Sequence, residues 1–341
     1  MPIIQPQPLI DLSKAIFVAA GAPEDIAQVV AASLVKANLL GHDSHGVLRV
    51  TRYVDRIRQG GLAPAARPKI GRRSGATAVV DGQWGFGQIG ARFGVELAAE
   101  IAGTSGVGCV TLSRVNHIGR LGEYAEMLAD QGLIGLLFTG ASGHSGSVAP
   151  FGGRDRIFGT NPLAWAAPVK EGRPPLVVDF ATSGTAEGKL AVAVSKGVAV
   201  PPGLLLDREG NPSLDPASFY EGGALLPFGG HKGYGLILMV EIMAGALGGL
   251  AEGGKIGNST VIVAWSVDAF VPAEQFHDQV ETLLQRIKDS RPAPGFAEVL
   301  LPGEPEARTL VQRSQEGIPL PEATWQGLAN LATELGVAVD V

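Results

Sequence analysis

Gly85-Phe86-Gly87-Gln88-Ile89-Gly90 spells G-x-G-x-x-G between a strand-like run, Thr77 to Asp81, and a helical pattern, Ala91 to Ala102. Glycines so spaced turn tightly out of a first strand and set a dinucleotide pyrophosphate on a helix N-terminus. Here the first run ends at Asp81, ahead of the glycines, and the next run with its exit, Gly106 to Val115, holds no Asp or Glu for the ribose hydroxyls. The favoured reading is a glycine hinge between a helical part and a sheet, with the dinucleotide fingerprint as the alternative.

Outward from this stretch, residues 9 to 60 read as three helices: Leu12 to Ala20, Pro23 to Leu40 and Ser44 to Gln59. Pro64 and Pro68 mark a linker. Short apolar runs at Thr77 to Asp81, Gly106 to Leu112, Gly132 to Thr139 and Leu176 to Phe180 then alternate with helices at Ala91 to Ala102 and Leu121 to Asp130, which argues an α/β sheet. Beyond Pro201-Pro202-Gly203 come a helix at Gly233 to Leu247, a strand at Thr260 to Trp265, a helix at Pro272 to Arg291, a loop through Leu301 to Glu304 and a closing helix at Glu322 to Leu335.

A chain of 341 residues has room for a sizeable core and for two domains or one composite one. With 27 basic residues against 33 acidic ones and no basic run, nucleic acid is not the expected partner. Hydrophobic residues at 45% and a mean hydropathy of +0.21 indicate compact structure. The single cysteine, Cys109, lies in an apolar run and excludes a disulfide within one chain, as in a reducing cytoplasm. The start of the chain lacks a basic leader, and no apolar run reaches the roughly 18 residues of a membrane span, so a soluble cytoplasmic protein is expected.

The densest chemistry is Gly41-His42-Asp43-Ser44-His45-Gly46-Val47-Leu48-Arg49. At helical spacing Val47, Val50, Val54 and Ile57 form one stripe, and His45, Arg49, Arg52 and Arg56 form another, which places His45 and Arg49 one turn apart. An imidazole that exchanges protons near neutral pH beside a guanidinium that grips a carboxylate suits a small organic acid, and the alternative is a solvated basic face. A second cluster, Ser113 to Leu121, runs from a strand into a helix; its Asn116, His117 and Arg120 are polar where packing needs none, and the N–H groups of Gly119 to Leu121 would face an anion. Gly153 to Pro162, Val177 to Ser183 and Gly229 to Gly235, with His231 and Lys232, are further candidates beside a loop-only reading. His144 and His277 read as surface residues, and no metal set is suggested: His42 and His45 have no third ligand by spacing.

These segments together resemble the type 2 malate/L-lactate dehydrogenase family, through Asn38 to Gly46, Asn116-His117-Ile118-Gly119-Arg120, Phe158-Gly159-Thr160-Asn161-Pro162, Asp179 to Ser183, His231-Lys232-Gly233-Tyr234 and Leu301-Pro302-Gly303-Glu304, in the family's order. Val200-Pro201-Pro202-Gly203 is similar to its hydroxycarboxylate dehydrogenase branch. The resemblance implies a homodimer in which a helix-rich domain, 1–73 and 217–341, joins a central non-Rossmann NAD(P)-binding mixed β-sheet domain, 74–216. It implies interconversion of a small 2-oxo acid and its 2-hydroxy acid with NAD or NADP. By match to the motifs, His45 is the proton donor with Ser44 its partner, or His117 takes that role; Arg49 and Thr160 hold the substrate. Gly119, Arg120, Leu121, Val177, Val178, Asp179, Phe180, Ala181, His231, Lys232, Gly303, Glu304, Pro305 and Glu306 line the cofactor. The family also holds ureidoglycolate dehydrogenases and cyclic ketimine reductases, and the latter carry an aspartate after Ala-Thr-Ser. Lys189 stands at that position here, with Glu187 nearby, which favours a carbonyl substrate.

Overall fold

The structure is a computed structural model and describes residues 1–142, 146–170, 172–249 and 257–339. Strand β1 (Ile3–Ile4) leads into α1 (Pro6–Ala19), α2 (Glu24–Leu39) and α3 (Arg49–Arg58). Proline opens α1, and Glu24, Asp25 and Lys36 place α2's charges where its dipole favours them. Next come β2 (Lys69–Ser74), β3 (Thr77–Asp81), α4 (Gly87–Ser105), β4 (Val107–Val115), α5 (Gly122–Ala129), β5 (Leu133–Ser142), β6 (Leu163–Ala167) and β7 (Leu176–Phe180). A smaller region follows with α6 (Glu187–Lys196), β8 (Leu205–Leu206), β9 (Pro212–Ser213), β10 (Ala224–Leu225) and α7 (His231–Val240), which continues as a wider turn of helix over Glu241–Leu247. The chain closes with β11 (Gly257–Ser266), α8 (Ala273–Lys288), α9 (Glu304–Glu316), β12 (Ile318–Pro319) and α10 (Glu322–Glu334).

The main sheet has seven strands in the order β2-β3-β4-β11-β5-β6-β7. Only β3 and β4 run parallel, with α4 as their crossover; every other neighbouring pair is antiparallel, so the sheet is mixed. Ala91, Val95, Ala98 and Ile101 of α4 and Tyr124 and Leu128 of α5 pack with Val110, Leu112, Leu137 and Ile262 of the strands. A second core joins Leu9, Ile16 and Phe17 of α1, Val30 and Leu34 of α2, Val50 and Val54 of α3 and Leu328 of α10. Strand β11 lies inside the range 217–341 expected for the helix-rich domain, yet it sits at the centre of the sheet between β4 and β5. Its unbroken buried run from Ser259 to Ile262 fits a strand covered on both faces, which spacing along the chain cannot assign to one sheet or another.

The G-x-G-x-x-G stretch is neither a phosphate loop nor a hinge. It lies in a βαβ unit, as a Rossmann fingerprint does, but a Cβ on Gly87 would run into the backbone oxygens of Asn116 and His117, and one on Gly90 would meet Val115. The glycines let α4 begin directly against the exit of β4. Phe86 is buried in the helical core while Ala91 is buried in the sheet core, so the stretch is a packed junction of the two. Asn116 completes it: its Nδ2 donates to the carbonyls of Gly61, Trp84 and Gly85 at 3.2, 2.9 and 3.2 Å. Its polarity, read from sequence as a sign of ligand binding, is used by the fold.

Among the described elements of five residues or more, four escaped the sequence pattern. Strand β2 is an edge strand whose Lys69, Arg72 and Arg73 are exposed, so it lacks an apolar face and carries the charges that keep edges from pairing. Strand β6 is a short alanine-rich run behind Pro162. Helix α6 buries Leu190 and Ala193, and α9 buries none of its residues fully, which leaves too little periodicity to read.

Gly87→Ala tests the junction. Because the obstructing atoms are backbone, the added methyl should cost about 1–3 kcal/mol of stability, as overpacking typically does. Denaturant unfolding would show it as a lower midpoint with an unchanged slope.

Candidate active site

His45 closes a single 3-10 turn, Asp43–His45, and does not lie on α3, which begins at Arg49. The expected continuous helix from Ser44 is interrupted at Gly46, whose backbone is extended and whose missing Cβ leaves room for the Asn38 side chain. Asn38 Oδ1 accepts from Val47 N at 2.8 Å and fixes the turn. Arg49 nevertheless returns to the same place, because its Nε donates to the Ser44 carbonyl at 2.7 Å. The valine stripe behaves as expected, with Val47, Val50 and Val54 fully buried.

The two candidate acids meet. His45 Nδ1 lies 3.3 Å from His117 Nε2, and the rings are parallel within 3° with centroids 5.3 Å apart. Burial, then the charge of Arg49, holds His45 down at about 4, and the same two causes hold His117 well below an ordinary imidazole. Both rings are therefore neutral at physiological pH. The hydroxyl of Ser44 and the carboxylate of Asp43 do not orient His45: its ring partner is His117, and Asp43 accepts from Asn38 Nδ2 at 2.6 Å and Arg313 Nη1 at 2.7 Å.

A cavity of about 160 Å³ is lined by His45, His117, Gly119, Leu121, Thr160, Asn161, Asp179 and Asn258. Asn161 Nδ2 donates to Glu241 Oε1 at 2.8 Å, and its Oδ1 is buried without a hydrogen-bond partner among the described residues. Arg49 opens on a neighbouring cavity of about 410 Å³ with Arg52 and Tyr53; His117 and Asn258 line both. A third cavity, about 220 Å³, is lined by His42, Arg120, Val177, Asp179, Gly303 and Glu306, among others, and shares Asp179 with the first. The structure thus brings together most of the residues expected to serve substrate and cofactor.

Several of them are committed to the protein itself. Arg120 is 3% exposed and pairs with Glu126, which Lys36 also reaches at 2.9 Å. The N–H of Gly122, first residue of α5, donates to Asp179 Oδ2 at 2.6 Å, so this helix start carries its own anion; burial pushes Asp179 up, and the Gly122 N–H and Arg120 oppose that shift. Glu304 accepts from Lys288 Nζ and from Leu301 N, both at 2.9 Å, while Glu306 lies 3.5 Å from His42 Nε2. Pro305 opens α9. Val178 and Ala181 are half-buried, and Phe180 meets Phe228 edge to face. His231 and Lys232 are exposed at the start of α7 and line none of these three cavities.

His144 lies outside the described residues, and His277 is half-buried beside the Phe276 ring. Among the described residues no three His, Cys, Asp or Glu side chains are grouped to hold a metal ion. Sequence reasoning missed Tyr53, Gln88 and Asn258. Tyr53 fell on the apolar side of α3, Gln88 occupied a variable position of the glycine motif, and Asn258 stands alone in a strand.

Residues 4–329 match the family model described as malate/L-lactate dehydrogenase. Hydroxycarboxylate dehydrogenase B of Escherichia coli (strain K12) is 38% identical over 346 aligned positions, covering 97% of this chain and 94% of that protein. The solved sulfolactate dehydrogenase of Methanocaldococcus jannaschii superposes with a TM-score of 0.92 at 35% identity, covering 99% of each chain. A solved delta1-piperideine-2-carboxylate reductase from Pseudomonas syringae gives 0.86 at 30% identity, over 97% of this chain and 100% of that one. The chain belongs to the malate/L-lactate dehydrogenase family. It is an oxidoreductase, a 2-hydroxy acid dehydrogenase.

Arg49→Met removes the largest of the charges that hold His45 down and leaves its burial in place. The His45 titration should therefore move above about 4. Titration of the ring protons by NMR checks this, and an unmoved midpoint would mean that the guanidinium does not act on the imidazole.

Proposed function

We propose that the chain interconverts a small 2-oxo acid and its 2-hydroxy acid with NAD or NADP, and that His45 is the proton donor in reduction. The observation that carries this reading is the state of His45: its Nδ1 is engaged by His117, while its Nε2 has no partner among the described residues and the ring lines the cavity with Thr160. The terminal nitrogens of Arg49 likewise have no hydrogen-bond partner among the described residues, and they can take a carboxylate with two bonds. A substrate lying past His117 and Asn258, which border both cavities, places its carbonyl oxygen toward His45 and its carboxylate toward Arg49.

A nicotinamide supplies or accepts the hydride when bound. The buried Oδ1 of Asn161, without a partner among the described residues, fits a carboxamide N–H, and Glu241 fixes the amide in that orientation. Val177, Asp179, Gly303 and Glu306, around the adjoining cavity, would hold the rest of the dinucleotide. The chain's own contribution is to orient the acid through Arg49, to keep the site dry enough that neither imidazole is charged, and to aim the Nε2–H of His45 at the developing alkoxide; as that proton leaves, His117 Nε2 passes one to His45 Nδ1 and His117 takes one in turn at its own Nδ1, so that no imidazolate forms.

A cytoplasmic homodimer is part of the same reading. The single cysteine suits a reducing compartment, and the exposed Val192 and Val194 of α6 with Ile242 and Leu247 beyond α7 offer apolar surface for a second copy. No described helix is long and apolar enough to cross a membrane. Reduction of a cyclic imine acid is a second reading with its own support. Glu187 is close enough to act electrostatically on Arg49, and the adjacent Gly188 sits beside Ser44, so the start of α6 brings a carboxylate to the site while Lys189 is exposed.

A panel of 2-oxo acids and one cyclic imine acid, followed by loss of reduced nicotinamide with NADH and NADPH in parallel, separates these readings. His45→Asn should lower kcat by about 10²- to 10⁴-fold with cofactor still bound, the usual contribution of general acid catalysis. Should His117→Asn show that loss while His45→Asn keeps its kcat, the proton donor is His117.

A further inference from the structure

Behind the histidine pair lies a buried chain of hydrogen bonds that the reading above does not use. Gln88 Nε2 is 2.9 Å from Tyr53 Oη, Tyr53 Oη is 2.7 Å from His117 Nδ1, and His117 Nε2 is 3.3 Å from His45 Nδ1. Gln88 is fully buried and Tyr53 is 4% exposed. The tyrosine ring packs with Phe17 and Phe86, centroids 6.2 and 6.0 Å away, which fixes the ring in the helical core.

The direction of this chain follows from one backbone group. Gly119 N lies 3.3 Å from His117 Nδ1, and an amide N–H can only donate. His117 Nδ1 is therefore an acceptor, and the Tyr53 hydroxyl, kept protonated by burial that pushes it up to about 12, is its second donor. Neutral His117 then carries its proton on Nε2 and donates to His45 Nδ1, which leaves the proton of neutral His45 on Nε2. The Gln88 amide agrees: its Nε2 donates to the tyrosine oxygen, and its Oε1 is buried without a partner among the described residues. Turned the other way, that amide would draw the tyrosine proton to itself and set a protonated His117 Nδ1 against the Gly119 N–H, two donors facing each other. The positive φ of Gly119 places that N–H, and a Cβ there would touch the Gln88 amide.

We propose that Tyr53 and Gln88 are positioning residues that hold His45 in the tautomer with its proton on Nε2, the nitrogen that faces the substrate. The proposal rests on His45 as proton donor for its consequence in turnover, but the tautomer itself can be read without turnover. Hydrogen bonds between donor and acceptor of fixed sense propagate along such a chain, and loss of the tyrosine hydroxyl removes the shorter of the two bonds that hold His117 Nδ1 as an acceptor, 2.7 Å against 3.3 Å from Gly119 N, which loosens the tautomer of both imidazoles. A histidine held in the wrong tautomer with its geometry intact can cost about 10⁴-fold in kcat, which bounds the effect from above.

The test uses the full-length protein with ¹⁵N-labelled histidine, six in all. Two-bond correlations between ring nitrogens and carbon-bound protons at neutral pH distinguish Nε2–H from Nδ1–H. Wild-type protein should show His45 and His117 both protonated on Nε2; a proton on Nδ1 of either overturns the proposal without any variant. Tyr53→Phe keeps the ring in its packing and should give mixed tautomers at both histidines, with kcat for reduction lowered about ten-fold or more and KM little changed. Gln88→Met should give a smaller loss that vanishes in the Tyr53→Phe background, since it acts through the tyrosine. Additive losses, or variants with wild-type tautomers, overturn the relay. Wild-type tautomers as stated together with an active His45→Asn would sink the assignment of the donor and leave the relay standing.

Discussion

The 3.3 Å contact between His45 Nδ1 and His117 Nε2 joins segments 72 residues apart, and much of the fold serves to hold it. His45 comes from a turn fastened by Asn38 to the end of α2 and by Arg313, from the far end of the chain, through Asp43. His117 comes from the exit of β4, which is pressed against the start of α4 at Gly87 and stapled to the Trp84–Gly85 turn by Asn116. Neither support is a ligand contact. Each fixes backbone, and backbone fixes where a ring nitrogen can lie to within the few tenths of an ångström that a hydrogen bond tolerates.

The electrostatic design follows from burial. Two imidazoles and a guanidinium share one region, and its low polarizability keeps the imidazoles neutral instead of adding two more positive charges. Charges that must be buried elsewhere are paired: Arg120 with Glu126, Glu123 with Arg92 and Ser33. Asp179 takes the Gly122 N–H, so the α5 terminus is satisfied before any ligand arrives. Much of the cavity wall is thus built from groups whose hydrogen bonds are already made, while Asn161 Oδ1, His45 Nε2 and the terminal nitrogens of Arg49 have no partner among the described residues.

The start of α6 shows how substrate preference could be set without altering that frame. Gly188 lies beside Ser44 and Glu187 acts on Arg49, while the histidine pair stays behind them. Changes in this exposed first turn alter the surroundings of Arg49 and Ser44 and leave the histidine pair in place.

By itself the sequence determined the local elements and the inventory of chemistry. The strands Thr77–Asp81 and Leu176–Phe180 were legible to the residue from their apolar runs, and the stretch from His42 to Arg49 announced itself by its density of polar groups. Alternation and spacing are properties of neighbours along the chain, so they survive in one dimension. What only the tertiary structure decided is which groups face one another. The glycines of residues 85–90 match a phosphate loop letter by letter, and the carbonyls of Asn116 and His117 that fill the space beside Gly87 come from the exit of another strand. Strand β11 reads as any buried strand until its partners β4 and β5 are known. Gln88 and Tyr53 carry no signal because a hydrogen bond has direction only once both partners are in place, and theirs is set by the amide of Gly119, which no spacing along the chain puts beside His117 Nδ1.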